Sequence, residues 1–186
     1  SFGANEKKMG WNVQPTRSVI MEGVRVPVAN RLGEEGEGFR IAMAGLDGGR
    51  INIAACSLGG AQECLDRALR YAKERSQFGR IIGSYQAIKH KLADVHIALE
   101  LARPLVYGAA LSLADGSADS ARDVSAAKAA ASDAALLAAR SSLQTHGAIG
   151  FTSEHDLSLW LLRVQALHSA WGDPTTHRRR VLEALA

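Results

Sequence analysis

Residues 88–113 read IKHKLADVHIALELARPLVYGAALSL, and this stretch decides the fold. Apolar residues recur in it every three or four positions, namely Ile88, Leu92, Val95, Leu99, Ala102, Val106, Ala109 and Leu113. That spacing is the period of an α-helix with one apolar face, and it predicts a helix over residues 85–114 that packs in a bundle. Pro104 lies inside the stretch, where we expect it to kink the helix.

The segments on either side of this stretch also have helical patterns. We predict a long helix over residues 38–77, in which Gly48 and Gly49 indicate a kink or a close contact. A third helix, over residues 120–146, is dominated by alanine, whose small side chain lets helices approach closely. A fourth helix starts at residue 153 or 154 and ends before Gly172, and a short one covers residues 176–186. The expected fold is mainly α, an antiparallel four-helix bundle.

The first 33 residues have a different pattern. Residues 17–27, RSVIMEGVRVP, are rich in β-branched and apolar residues and predict one or two strands. A lone strand pair cannot bury its apolar face, so it must pack on the helices or on further strands. We therefore expect two units, a β element at 1–33 and a helical bundle at 34–186, and the chain reads as part of something longer.

The bulk composition excludes several classes of protein. The chain has 186 residues, 47% of them apolar, which is enough for one domain with a core. The 22 Lys and Arg barely exceed the 19 Asp and Glu, so the charge does not indicate nucleic-acid binding. The basic run at 178–180 is either a solvated helix end or a contact for an anionic cofactor. We see no run of about 18 apolar residues, so no membrane span is expected.

Two cysteines bear on the compartment. Cys56 and Cys64 lie eight residues apart on one predicted helix, a separation of about 12 Å. That is too far for a disulfide. Two unpaired thiols and the lack of a signal peptide lead us to expect a reducing, cytoplasmic location.

Two short motifs have residue types that bind anions. GLDGGR at 45–50 holds Asp47 and Arg50, either as a surface pair or with the arginine in a cleft facing a carboxylate, phosphate or carbonyl. YAKERSQFGR at 71–80 places Arg75 at a helix end, where it either faces an anionic ligand or is an ordinary helix exit. A third motif, QTHGAIG at 144–150, is either a tight turn between helices or a glycine backbone that approaches a pyrophosphate.

Together, in this order, the three motifs resemble the C-terminal half of acyl-CoA dehydrogenases. The resemblance covers essentially the whole chain. Residues 33–50 are similar to members that act on isobutyryl-CoA, whereas residues 150–156 are similar to actinobacterial-type members, so a recombined chain is one interpretation. The resemblance implies FAD and an acyl-CoA as ligands of the parent enzyme, in fatty acid or branched-chain acyl-CoA oxidation. It also implies a homo-oligomer, a dimer or a tetramer.

The resemblance assigns roles to the motifs. Arg75, Phe78 and Gln86 would contact FAD, commonly that of a neighbouring subunit. Gln144 and Gly147 would meet the adenosine diphosphate part of FAD, next to Ala148, where relatives often have glycine.

The acyl-CoA would lie beside Asp47 and Arg50. The family reaction, α,β-dehydrogenation, needs a carboxylate that removes the α-proton in a dry pocket. Most relatives carry it in a Glu-Gly-Thr motif, where this chain has Gly172, and a minority carry it on the first long helix, where this chain has Gly49. The nearest carboxylate is Asp173, which is also placed to cap the last helix.

Three interpretations follow from the lack of a carboxylate at both positions. In the first, the chain is part of a dehydrogenase, and the isolated chain is inactive and its binding of FAD is doubtful. In the second, it is a non-catalytic partner subunit. In the third, it is a recombined or engineered helical scaffold. The six histidines have no zinc-ligand spacing, so no metal site is expected.

Overall fold

Five α-helices dominate the computed structural model, which describes residues 1–186. They are α1 (Gly38–Glu74), α2 (Gln86–Ala114), α3 (Ser120–His146), α4 (Leu157–Ser169) and α5 (Pro174–Glu183). The bounds of α1, α2 and α3 lie within three residues of the predicted ones, and the predicted helical fold is confirmed.

Helix α3 lies at the centre and packs against each of the other four helices. Its alanines allow this close packing, because Ala127, Ala131, Ala135 and Ala139 are all fully buried. The apolar stripe predicted for α2 faces α1 and α3, and its members from Leu92 to Ala109 are buried. Helix α2 continues through Pro104 without a break.

The last third of the chain departs from prediction at the element ends. Helix α4 starts at Leu157, later than expected, because residues 147–151 form a 3₁₀ turn that follows directly on α3. Helix α5 starts at Pro174 rather than residue 176, as the fixed φ of proline suits the first helical position.

The β structure is slight. Residues 1–3 pair antiparallel with residues 18–20, through an isolated bridge between Phe2 and Val19. The predicted strand character of 17–27 is limited to this pairing, since no further strand lies alongside and Val24 and Val26 are exposed. A two-stranded hairpin, β1 (Ser76–Gln77) and β2 (Arg80–Ile81), joins α1 to α2.

Helix α2 is also long and apolar enough, by length and composition alone, to cross a membrane, contrary to the sequence expectation. Only 22% of the relevant window is buried in the structure. Its exposed apolar residues include Ile97, Leu101 and Leu111. A core helix of a globular domain passes the same test, and the opposite face of α2 contributes Leu99 and Val106 to the bundle core.

Candidate functional site

The candidate residues fall into two groups at opposite ends of α1. Arg50 lies in the first half of this helix, and Arg75 is its C-cap. Twenty-five residues of helix separate them, which is about 37 Å at 1.5 Å per residue. A small molecule bound at one end of the bundle therefore does not reach the other end of the same chain.

The first group is a charged cluster that joins α1 to α5. The Arg50 guanidinium donates to Asp47 Oδ1 over 2.6 Å, and the side chains of Arg50 and Asp47 are only 15% and 22% exposed. Arg180 of α5 lies 3.4 Å from the same oxygen. The pairing of Asp47 with Arg50 is thus present, but the cluster holds two guanidiniums to one carboxylate and is largely shielded from water.

Beside this cluster, a tight turn links α4 to α5. Trp171 is left-handed, with φ 58°, and Gly172 follows with φ 102°. The Trp171 carbonyl accepts from Arg50 Nε at 3.3 Å and lies 3.1 Å from His177 Nε2. Because a carbonyl only accepts, Nε2 is the protonated nitrogen of His177. The other nitrogen, Nδ1, is buried with no partner, and burial lowers the pKa of His177, which favours the neutral ring.

The indole of Trp171 lies directly against α1. A Cβ on Gly49 would be 2.6 Å from the indole Nε1, so only glycine fits there without a shift. This is the close contact that the glycine pair in α1 predicted. On the other side of the turn, a Cβ on Gly172 would be 2.9 Å from His177 Nε2. Neither of the two positions at which the sequence resemblance places the base has room for a side chain here without a shift of its neighbour.

Asp173 caps α5. Its Oδ1 accepts from the Thr176 backbone N–H at 2.7 Å, as the N-cap interpretation predicted. This backbone hydrogen bond lowers the pKa of Asp173, which makes its carboxylate a weaker proton acceptor.

The second group lies around the hairpin between α1 and α2. Phe78, at the hairpin tip, is left-handed with φ 53° and is 92% exposed. The Tyr85 hydroxyl donates to the Gln77 carbonyl at 3.0 Å and holds the tip in place. Arg75 precedes the hairpin, is exposed and makes no ion pair, and Gln86 is the first residue of α2.

The turn after α3 reaches the same end of the bundle. The ring of His146 stacks on Tyr71 of α1, with centroids 4.5 Å apart. Gln144 is exposed, and Gly147 is left-handed with φ 66° and open space where a Cβ would stand. The structure therefore brings the Arg75 and Gln144 motifs to one end and leaves Asp47 with Arg50 at the other.

One buried residue at the first end was missed by sequence reasoning. Lys128 of α3 is completely buried, and its Nζ donates to the carbonyls of Leu167 at 3.1 Å and His168 at 2.9 Å. Burial lowers the pKa of this ammonium to about 8. A signal was available, because Lys128 follows Val124 by four residues and precedes Ala131 by three, which places it on the buried stripe.

Comparisons with known proteins agree on one family. Residues 36–186 match the family described as acyl-CoA dehydrogenase, C-terminal domain. The mitochondrial isobutyryl-CoA dehydrogenase of Dictyostelium discoideum is 43% identical over 169 residues, which cover 90% of this chain and 41% of that protein. The solved structure of butyryl-CoA dehydrogenase from Megasphaera elsdenii superposes on all of this chain and 48% of its own, with a TM-score of 0.93 and 37% identity.

A second solved structure, described as an electron transferring flavoprotein of Acidaminococcus fermentans, has a TM-score of 0.93 at 39% identity, over 100% of this chain and 48% of that chain. The chain spans only 37% to 46% of the length of the curated relatives that it matches.

Proposed function

The chain belongs to the acyl-CoA dehydrogenase family, and from that premise we propose that it is the C-terminal part of a flavoprotein that binds an acyl-CoA thioester and FAD. One observation carries the proposal. The two motifs that the sequence resemblance assigns to FAD, around Arg75 and around Gln144, lie at one end of the bundle. The motif that it assigns to acyl-CoA, around Arg50, lies at the other end.

The residues at the hairpin end fit one edge of FAD. Arg75 has no ion-pair partner and offers a forked donor suited to a phosphate. Phe78 presents an exposed ring, and the open backbone at Gly147 admits a close approach. FAD, when bound, supplies the hydride acceptor. Arg75 would hold the diphosphate of FAD and Phe78 would contact a ring of it, both from an exposed edge of the bundle.

The charged cluster at the acyl-CoA end has a net positive charge. Arg50 and Arg180 flank Asp47 in a partly buried cluster, which favours a carbonyl or anionic group of the ligand. The similarity to isobutyryl-CoA and butyryl-CoA dehydrogenases leads us to propose a short acyl chain. Because the two ends of one bundle are about 37 Å apart, we further propose a homo-oligomer, a dimer or a tetramer, in which each bundle serves the sites of two subunits.

The first test is a titration of FAD with the chain, followed by flavin fluorescence. We expect weak binding, because one exposed edge contacts the cofactor, and we expect Arg75→Ala to weaken it at least tenfold, which corresponds to about 1.4 kcal/mol. Arg40→Ala is the control, since Arg40 is also exposed but lies at the start of α1, where it pairs with Glu37. Equal binding by the Arg75 and Arg40 variants would contradict the assignment.

A second candidate function, a non-catalytic partner subunit, is favoured by the contact between Gly49 and Trp171. An indole and a histidine occupy the space in which a base would stand, and Asp173 is engaged as a helix cap. A dehydrogenase assay with isobutyryl-CoA and a dye acceptor should show no turnover by this chain. Turnover that is lost in Asp173→Ala would refute this candidate and identify Asp173 as the base.

A further inference from the structure

The C-terminal end of α4 is held by a charge from another helix. The last carbonyls of an α-helix have no partner within the helix. Two of these, from Leu167 and His168, accept from the Lys128 ammonium, which lies on α3 and is fully buried. A cation at this end also interacts favourably with the helix dipole.

The chain leaves α4 directly into the turn that carries Trp171. Only Ser169 and Ala170 separate the Lys128-bound carbonyls from this residue. Trp171 is left-handed, a conformation that non-glycine residues rarely adopt unless their surroundings fix it. The turn is held on three sides, by Lys128 from α3, Arg50 from α1 and His177 from α5.

We propose that Lys128 is a positioning residue that acts through the last carbonyls of α4 to direct the Trp171 indole onto Gly49. The contact between the indole and Gly49 does not depend on any ligand. That the indole lines the acyl end of the binding site rests on the proposed function. Replacing Lys128 would remove its hydrogen bonds to the start of the turn, whereas Arg50 and His177 would still hold the Trp171 carbonyl. We therefore expect the indole to change its angle to Gly49 but to stay in contact with α1.

Several ionisable groups surround this ammonium. Asp133 on α3 and Asp173 before α5 stabilise its charge, and the Lys128 charge in turn helps to lower the pKa of His177 on α5. His168 of α4 lies 3.6 Å from Asp133. No carboxylate is within salt-bridge distance of Nζ, so desolvation dominates and the pKa of Lys128 falls to about 8. The hydrogen bonds from Lys128 to α4 should therefore weaken in mildly alkaline solution.

The test uses fluorine NMR of the full chain labelled with 5-fluorotryptophan, which gives one resonance for each of the three tryptophans. Trp171→Phe assigns the Trp171 signal. This signal should move with a midpoint near pH 8, and the Trp160 signal should not. In Lys128→Met the Trp171 signal should be displaced and should not change across the mildly alkaline range. Lys73→Met, which removes an exposed lysine of α1, should behave as the native chain.

Two results would overturn the proposal. One is a Trp171 resonance in the native chain that does not change across the mildly alkaline range. The other is a change of the Trp171 signal in the mildly alkaline range that persists in Lys128→Met. If that variant does not fold, the native titration alone decides the question. Since no ligand is added, failure of FAD or acyl-CoA binding would leave this result unaffected.

Discussion

Gly49→Ala is expected to reverse the usual effect of replacing a helical glycine. In an exposed helix interior this change stabilises by about 1 kcal/mol, because alanine loses less backbone entropy than glycine on folding. At position 49, however, the new methyl group would lie 2.6 Å from the indole Nε1 of Trp171 and 3.1 Å from its Cδ1. Overpacking of this kind costs about 1–3 kcal/mol. The net change is a loss of stability of up to about 2 kcal/mol.

Two further variants isolate the contact. Gly48→Ala changes the neighbouring residue of the same helix, where a Cβ would meet nothing within 4 Å, and should stabilise by about 1 kcal/mol. In a Trp171→Ala background, Gly49→Ala should also become stabilising by about 1 kcal/mol, since the clash is gone. The coupling between positions 49 and 171 should then be about 1–3 kcal/mol.

The measurement is urea unfolding monitored by the circular dichroism of the helices, because this signal, unlike tryptophan fluorescence, does not require the indole that is removed in Trp171→Ala. The free energy of unfolding is compared for the four members of the double-mutant cycle and the Gly48 control. The reasoning is refuted if Gly49→Ala stabilises as much as Gly48→Ala in the presence of Trp171.

Three other perturbations have defined outcomes. Asp173→Ala should lower the free energy of unfolding through loss of the α5 cap, and Asp173→Asn by much less; equal losses in urea unfolding would contradict the cap. Iodoacetamide should label Cys56 but not Cys64 in the folded chain, because burial raises the pKa of the Cys64 thiol to about 12; a Cys64 adduct found by mass spectrometry without urea would contradict this. Between about pH 8 and the ordinary lysine pKa of 10.5, the folded state has released the Lys128 proton that the unfolded chain still holds, so stability should rise with pH in this window. That rise should be absent from urea unfolding of Lys128→Met.

Most of the helical fold follows from local pattern. The apolar stripe from Leu92 to Ala109 has the helical period, and its burial confirms the prediction that this face of α2 packs in the bundle. The alanines of α3 likewise indicated close helix contacts before any partner was known. The glycine pair in α1 indicated a kink or a close contact, but it did not identify the residue that makes the contact.

The site depends on contacts that no local pattern encodes. The partner of Gly49 is Trp171, more than a hundred residues later in the chain. The left-handed backbone of Trp171 runs against its intrinsic preference and is fixed by Arg50 and His177, which lie on other helices. Lys128 belongs to none of the three motifs, and only its place on the buried stripe of α3 indicates that it lies inside the bundle.

The fit between Gly49 and the indole also restricts the order in which this sequence can change. Any residue larger than glycine at 49, a glutamate included, needs the indole at 171 to be removed or turned first. A lineage that acquired a carboxylate at 49 would therefore first replace the indole at 171 or change its orientation. Positions 49 and 171 should accordingly vary together among close homologues, whereas position 48, which faces open space, should vary freely.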